Sequence, residues 1–277
     1  MGMGWQEIDR MLHRAFSYCL SKRKFLFTFS VLSLSACFVS GFRALSEGSG
    51  EWVHLSFAFL PVFVVATMLM ATGIVLIRAY HHEIKKISFS FRDLTKKSWD
   101  LMISVSYLTL PLSMAYITLW SVVGFFYVLK EIPVVGDVMS VLLCFVPFLL
   151  VFTFILLAVA NACALFFLPP VIALRSECCW EIFMDRFAEI KARALTYSVL
   201  FLIALVPISL VVGFLFLASY ITGSEPISPP LSFSRFMQSL ITSIAFSALC
   251  TPSVIFFFNF SAESYIWMKK SSQVSIP

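Results

Sequence analysis

Charge is scarce in this sequence. Asp, Glu, Lys and Arg make up 13% of its 277 residues, about half the share found in ordinary soluble domains, and they avoid the long apolar stretches almost entirely. Ion-coupled carriers and proton relays keep an acid, a base or a histidine inside their spans, so a proton- or sodium-coupled carrier is not expected. Catalytic patterns are missing too. There is no His-Glu-x-x-His, no Gly-x-Ser-x-Gly, no Walker loop and no pair of carboxylates within the apolar runs, so no enzyme, catalytic residue or cofactor is expected. Ten glycines are too few for a phosphate-cradling surface. The 7 cysteines are scattered, which excludes a disulfide framework and leaves them as small apolar side chains. No segment outside the apolar runs is large enough for a soluble domain, so residues 1–277 read as one polytopic membrane domain.

Apolar residues fill the space that charge leaves. They reach 60%, with a mean hydropathy of +0.93. A helix needs about 20 apolar residues to cross roughly 30 Å of hydrocarbon, and six stretches qualify: Phe25 to Phe42, Leu55 to Ile77, Trp99 to Leu129, Val138 to Leu168, Leu195 to Ile221 and Phe236 to Tyr265. Basic residues collect before the first span, between the second and third, between the fourth and fifth, and after the sixth. The opposite side holds only Arg43, Lys130 and Arg235. By the positive-inside rule both termini are cytoplasmic. The net charge of +5 is then explained by topology and anionic headgroups, with no need for nucleic acid. Leu34-Ser35-Ala36-Cys37 matches a lipoprotein signal, but the long, acid-bearing leader before it predicts an uncleaved first span.

A phrase recurs three times. Leu12, Phe16 and Cys19 precede Lys22; Ile87, Phe91 and Leu94 precede Lys97; Phe183, Phe187 and Ile190 precede Arg193. Each apolar set shares one helical face. The pattern predicts an all-α membrane protein of six transmembrane helices in three hairpins, each preceded by a cytoplasmic amphipathic interfacial helix, with approximate repeats at 5–80, 81–175 and 176–270.

The returning spans share breakers near their cytoplasmic ends: Thr72-Gly73, Pro169-Pro170 and Thr251-Pro252-Ser253. They read either as hinges where each hairpin bends or as broken helices framing a polar site, as in transporters. If the hairpins close into a ring, Gly73, Pro170 and Pro252 surround an inner vestibule. There Thr72, Thr251 and Ser253 would satisfy a polar head group while Arg78 and Arg175 attract a phosphate. Asn161 and Asn259 are the strongest buried polar candidates, and each is expected to bond between helices. His81-His82 and Cys178-Cys179 offer nitrogen and sulfur, yet adjacent helical residues diverge by about 100°, so no metal site is expected.

The run Leu168-Pro169-Pro170-Val171-Ile172-Ala173-Leu174, then an acid-bearing amphipathic segment with Phe187, a basic residue and a fresh span from Leu195, resembles the six-helix membrane domain attached to some bacterial glycerophosphodiester phosphodiesterases and related free-standing inner-membrane proteins. The likeness is strongest from Val151 to Ile208. It implies a six-helix bundle of the bacterial inner membrane with a lipid-related role. No catalytic residue carries over, because the phosphodiesterase barrel is absent. The expected function is therefore non-enzymatic, in lipid or envelope homeostasis, with membrane lipids, anionic ones among them, and a membrane-protein partner or a second copy as partners. The competing expectation is a transporter or permease component moving a small or lipid-like substrate.

Overall fold

The computed structural model describes residues 5–46, 51–87, 90–132, 145–174, 194–222 and 233–274. Every regular element among them is an α-helix: α1 (Trp5–Ser17), α2 (Lys22–Ser46), α3 (Glu51–Ile84), α4 (Phe91–Glu131), α5 (Val146–Leu174), α6 (Ala194–Thr222) and α7 (Phe233–Val274). Five contain a segment long and apolar enough to cross a membrane: Lys22–Ser46, Leu60–Ile84, Val151–Leu174, Leu195–Thr222 and Phe236–Lys270. The chain is thus built as a multi-pass α-helical membrane protein.

The third expected span is helical but is not among those five. It lies within α4, whose 41 residues would extend about 62 Å at 1.5 Å per residue. Among the described residues its apolar segment is Met114–Phe126, and Arg92, Asp93, Lys96, Lys97 and Asp100 charge the opening turns ahead of it. No break separates the expected second surface helix from the span. Phe91 starts α4 directly after an extended Ser90, and Leu94 is buried against Val75 and Ala79 of α3.

Helix α1 buries a different face from the expected one. Ile8, Met11, Ala15 and the following Cys19 go inside, whereas Phe16 is 68% exposed. Helical spacing of 3 and 4 residues supports either stripe, and the buried one is chosen by its seat against α7. The third amphipathic segment, with Phe183, Phe187 and Ile190, lies outside the described residues.

The returning helices α3, α5 and α7 touch one another and form the centre. Helix α2 lies against α3 and α7, α4 against α3 and α5, and α6 against α7. The breakers do not interrupt these helices: α3 runs on through Gly73, α5 through Pro169 and Pro170, and α7 through Pro252. Tertiary packing outweighs the missing backbone bond at each proline.

Aromatic side chains fill the core between them. Phe257 meets Phe166 of α5 edge-on at 5.4 Å, and Phe256 stacks on Phe260 at 5.8 Å. Phe258 covers Gly73, where a Cβ would overlap its ring. Phe257 and Phe258 thus meet neighbouring helices, and each ring of the Phe256–Phe258 run is no more than 6% exposed.

Candidate functional site

Two places gather polar groups inside the bundle. The first is the end where α1 sits. Lys24, fully buried at the start of α2, places Nζ 2.5 Å from Glu83 Oε2 of α3, and the ammonium lies 5.3 Å from the centre of the Tyr80 ring. A buried ammonium is tolerated only with such compensation. Tyr80 donates its hydroxyl to Glu263 Oε1 of α7 at 2.7 Å, and Arg14 of α1 approaches the other oxygen of Glu263 at 4.0 Å. Trp267 of α7 donates Nε1–H to Glu7 of α1 at 2.9 Å. Asn259 donates to the Ala15 carbonyl, which also accepts from the Cys19 thiol at 3.0 Å. Burial pushes that thiol up to about 12, against smaller opposing effects of Lys24 and the Asn259 hydrogen bond. Lys24, Glu83 and Glu263 were not legible as a cluster from spacing, since each reads alone as a charge at a span end.

The expected vestibule residues lie toward this end, mostly engaged with neighbouring protein groups. Arg78 extends across three helices, donating Nε–H to the Ala173 carbonyl at 3.3 Å and Nη1 to the Lys97 carbonyl at 3.1 Å. It thereby meets a carbonyl in the last turn of α5, where intrahelical donors run out, and adds a second bond to a carbonyl within α4. Thr72 and Thr251 donate to the carbonyls one turn back, Met68 and Ser247, at 2.8 and 2.7 Å. Ser253 reaches the carbonyl of Pro207 in α6 at 3.4 Å. Gly73 is closed over by Phe258. Pro170 borders a space of about 20 Å³ with Phe166, Tyr197 and Ser261, while Pro252 is half-buried on α7. Arg175, Cys178 and Cys179 lie outside the described residues. Among the described residues no three His, Cys, Asp or Glu side chains converge as metal ligands would.

The second place is a cleft of about 390 Å³ between α2, α3 and α5, bordered by Arg43, Pro61, Val65, Ala66, Ala158 and Asn161. Asn161 lies about 20 Å along α5 from Leu174, and Arg43 about 32 Å along α2 from Lys22, at 1.5 Å per residue. The cleft therefore occupies the half of the bundle away from α1. A smaller space of about 20 Å³ shares Val62, Ala158 and Asn161 with it and is closed by Tyr116 and Phe154. The two asparagines expected to behave alike differ: Asn259 bonds to α1, whereas Asn161, 8% exposed, has no hydrogen-bond partner among the described residues and borders both spaces.

Compared with family models, curated proteins and solved structures, the chain matches none. What the fold itself defines is an α-helical protein that has, among the described residues, five helices long and apolar enough to cross a membrane.

Proposed function

We propose that the chain is a non-enzymatic protein of the bacterial inner (cytoplasmic) membrane that acts in lipid or envelope homeostasis. In this reading it crosses six times, α4 supplying the sixth crossing, with both termini in the cytoplasm. The contact between Glu7 and Trp267 supports an even number of crossings, because it joins the first and last helices at one end. The Lys24–Glu83 pair and the Arg78–Lys97 contact draw the start of α2, the end of α3 and the start of α4 to that end. It is also the basic end, as a cytoplasmic face should be.

The observation that carries the lipid role is the cleft of about 390 Å³ between membrane-crossing segments. Its walls are largely apolar and it lies within the bilayer, so molecules dissolved in the membrane have the shortest path to it. Deletion of the gene followed by quantitative lipid analysis and an envelope-permeability assay tests the role. Altered lipid composition or leakiness is expected, and an unchanged envelope with unchanged lipids would remove the proposal. Solute flux in proteoliposomes would replace it with the permease reading. Reporter fusions test the crossings: those after Lys97 and Arg193 should be cytoplasmic and those at Ser49 and Ser228 external.

A further inference from the structure

From the cleft's unpaired polar groups we infer a binding site for one acyl chain of an anionic phospholipid, entering from the leaflet at the end away from α1. This rests on the membrane reading above and names the ligand that reading leaves open.

Polar side chains in a membrane-crossing helix are expensive unless bonded, and this bundle bonds most of its own locally. Thr72, Thr251, Ser35 and Ser247 each donate to a carbonyl one turn earlier, and Asn259 bonds to Ala15. Asn161 breaks the pattern. Its amide carries two donors and an acceptor, and the residue, 8% exposed, borders the cleft and its small extension. The Tyr116 hydroxyl, at the closed end of that extension, is likewise buried without a partner. Thr28, Ser33, Ser264 and Tyr265 also hold unpaired buried hydroxyls and Asn259 an unpaired side-chain carbonyl oxygen, but Asn161 and Tyr116 border the cleft or its extension.

The dimensions and charge select the ligand. The cleft, about 390 Å³, falls toward the lower end of the range of ligand sites, roughly 300 to 1,000 Å³, which suits a single hydrocarbon chain. Val39, Val65, Leu69 and Leu165 supply an apolar wall for it. Arg43 borders the cleft from the last turn of α2. It has an interaction within the protein as well, and its planar fork of N–H donors is of the shape that pairs with phosphate. The phosphate then lies at Arg43, and the ester carbonyl of the inserted chain accepts from the Asn161 amide deeper in.

The test uses the full chain in lipid nanodiscs with phosphatidylglycerol bearing a photoactivatable acyl chain, compared with phosphatidylcholine and a free fatty acid carrying the same group. Cross-linked peptides are mapped by mass spectrometry. Phosphatidylglycerol should label residues 151–165 at least fivefold more than phosphatidylcholine. Ala158→Phe, from a side chain that is exposed on the cleft wall, should lower that labelling at least fivefold, and Arg43→Gln should abolish the preference for the anionic lipid. Asn161→Leu should lower labelling about threefold while leaving the melting temperature unchanged or higher, because an unpaired amide contributes no bond to lose. Equal labelling by both phospholipids, preference for the fatty acid, or indifference to Ala158→Phe would overturn the site. So would a lower melting temperature in Asn161→Leu, since the amide would then be structural. Loss of the site would leave the homeostasis proposal to its deletion test, and cleft-specific labelling would stand even if deletion left the lipids unchanged.

Discussion

Asn259 donates from Nδ2 to the carbonyl of Ala15 3.3 Å away, joining residues 244 positions apart. That bond, with the Trp267–Glu7 contact, makes α1 a packed part of the bundle. Replacing Asn259 by Leu removes it and should weaken the seat of α1 by about 1 kcal/mol, as for other interhelical bonds in membranes. Limited proteolysis between Ser17 and Lys22 should accelerate several-fold while the rest of the chain stays protected. Unchanged cleavage would mean that the apolar contacts of Ile8 and Met11 hold α1 alone.

Lys24 and Glu83 form a buried ion pair in which Lys24 is closed to solvent and Glu83 is 20% exposed. Removing one partner leaves an uncompensated charge. Lys24→Met should cost about 2 to 4 kcal/mol, the lower part of the range reflecting the exposure of Glu83. Adding Glu83→Gln should recover most of the loss, because two neutral groups need no mutual compensation. Chemical unfolding in detergent measures both variants, and equal losses in the single and double variants would show that the charges are uncoupled.

Gly73→Ala sets two effects against each other. Helix propensity favours alanine by about 1 kcal/mol, but the added methyl overlaps the Phe258 ring, and a ring only 2% exposed has little room to retreat. Overpacking of this kind costs about 1 to 3 kcal/mol, so the net effect is destabilising. Phe258→Leu in the same chain should restore part of the stability, and a stabilised Gly73→Ala single variant would show that the ring moves freely.

Cys19 should be inert to water-soluble maleimide in the folded protein at pH 8. Burial raises its thiol from 9.0 to about 12, and the thiolate is the reactive form. The native state therefore holds this proton where the unfolded chain releases it. The contribution is complete below pH 9 and declines as pH rises from about 9 toward 12. Unfolding experiments at pH 8 and pH 10.5 should show the Cys19→Ala variant losing less stability than the parent across that interval.

The long helices were readable because an apolar run of twenty residues has few alternatives inside a membrane. The faces were less readable. In α1, Leu12–Phe16–Cys19 and Ile8–Met11–Ala15–Cys19 both satisfy a helical period, and the choice belongs to α7, more than two hundred residues away in sequence. Asn161 and Asn259 look equivalent in the chain, each a lone amide in an apolar run, yet one finds a carbonyl and the other faces open space. The prolines and Gly73 signalled breaks that packing overrides. Arg78 read as an anion attractor, while the structure engages it with the carbonyls of Ala173 and Lys97. In each case the deciding partner came from another helix, and spacing along one helix carries no record of it.

The seating of α1 on α7 also orders events in time. Helix α1 cannot reach its final position until Asn259 and Trp267 have been synthesised, which at about 5 to 20 residues per second means a wait of about 12 to 50 seconds for the 244 positions that separate Ala15 from Asn259. During that interval the apolar stripe of α1 has no α7 to cover it, and the headgroup layer beside the emerging chain is its nearest shelter. The seat of α1 is thus a late step of assembly, completed only when α7 is present.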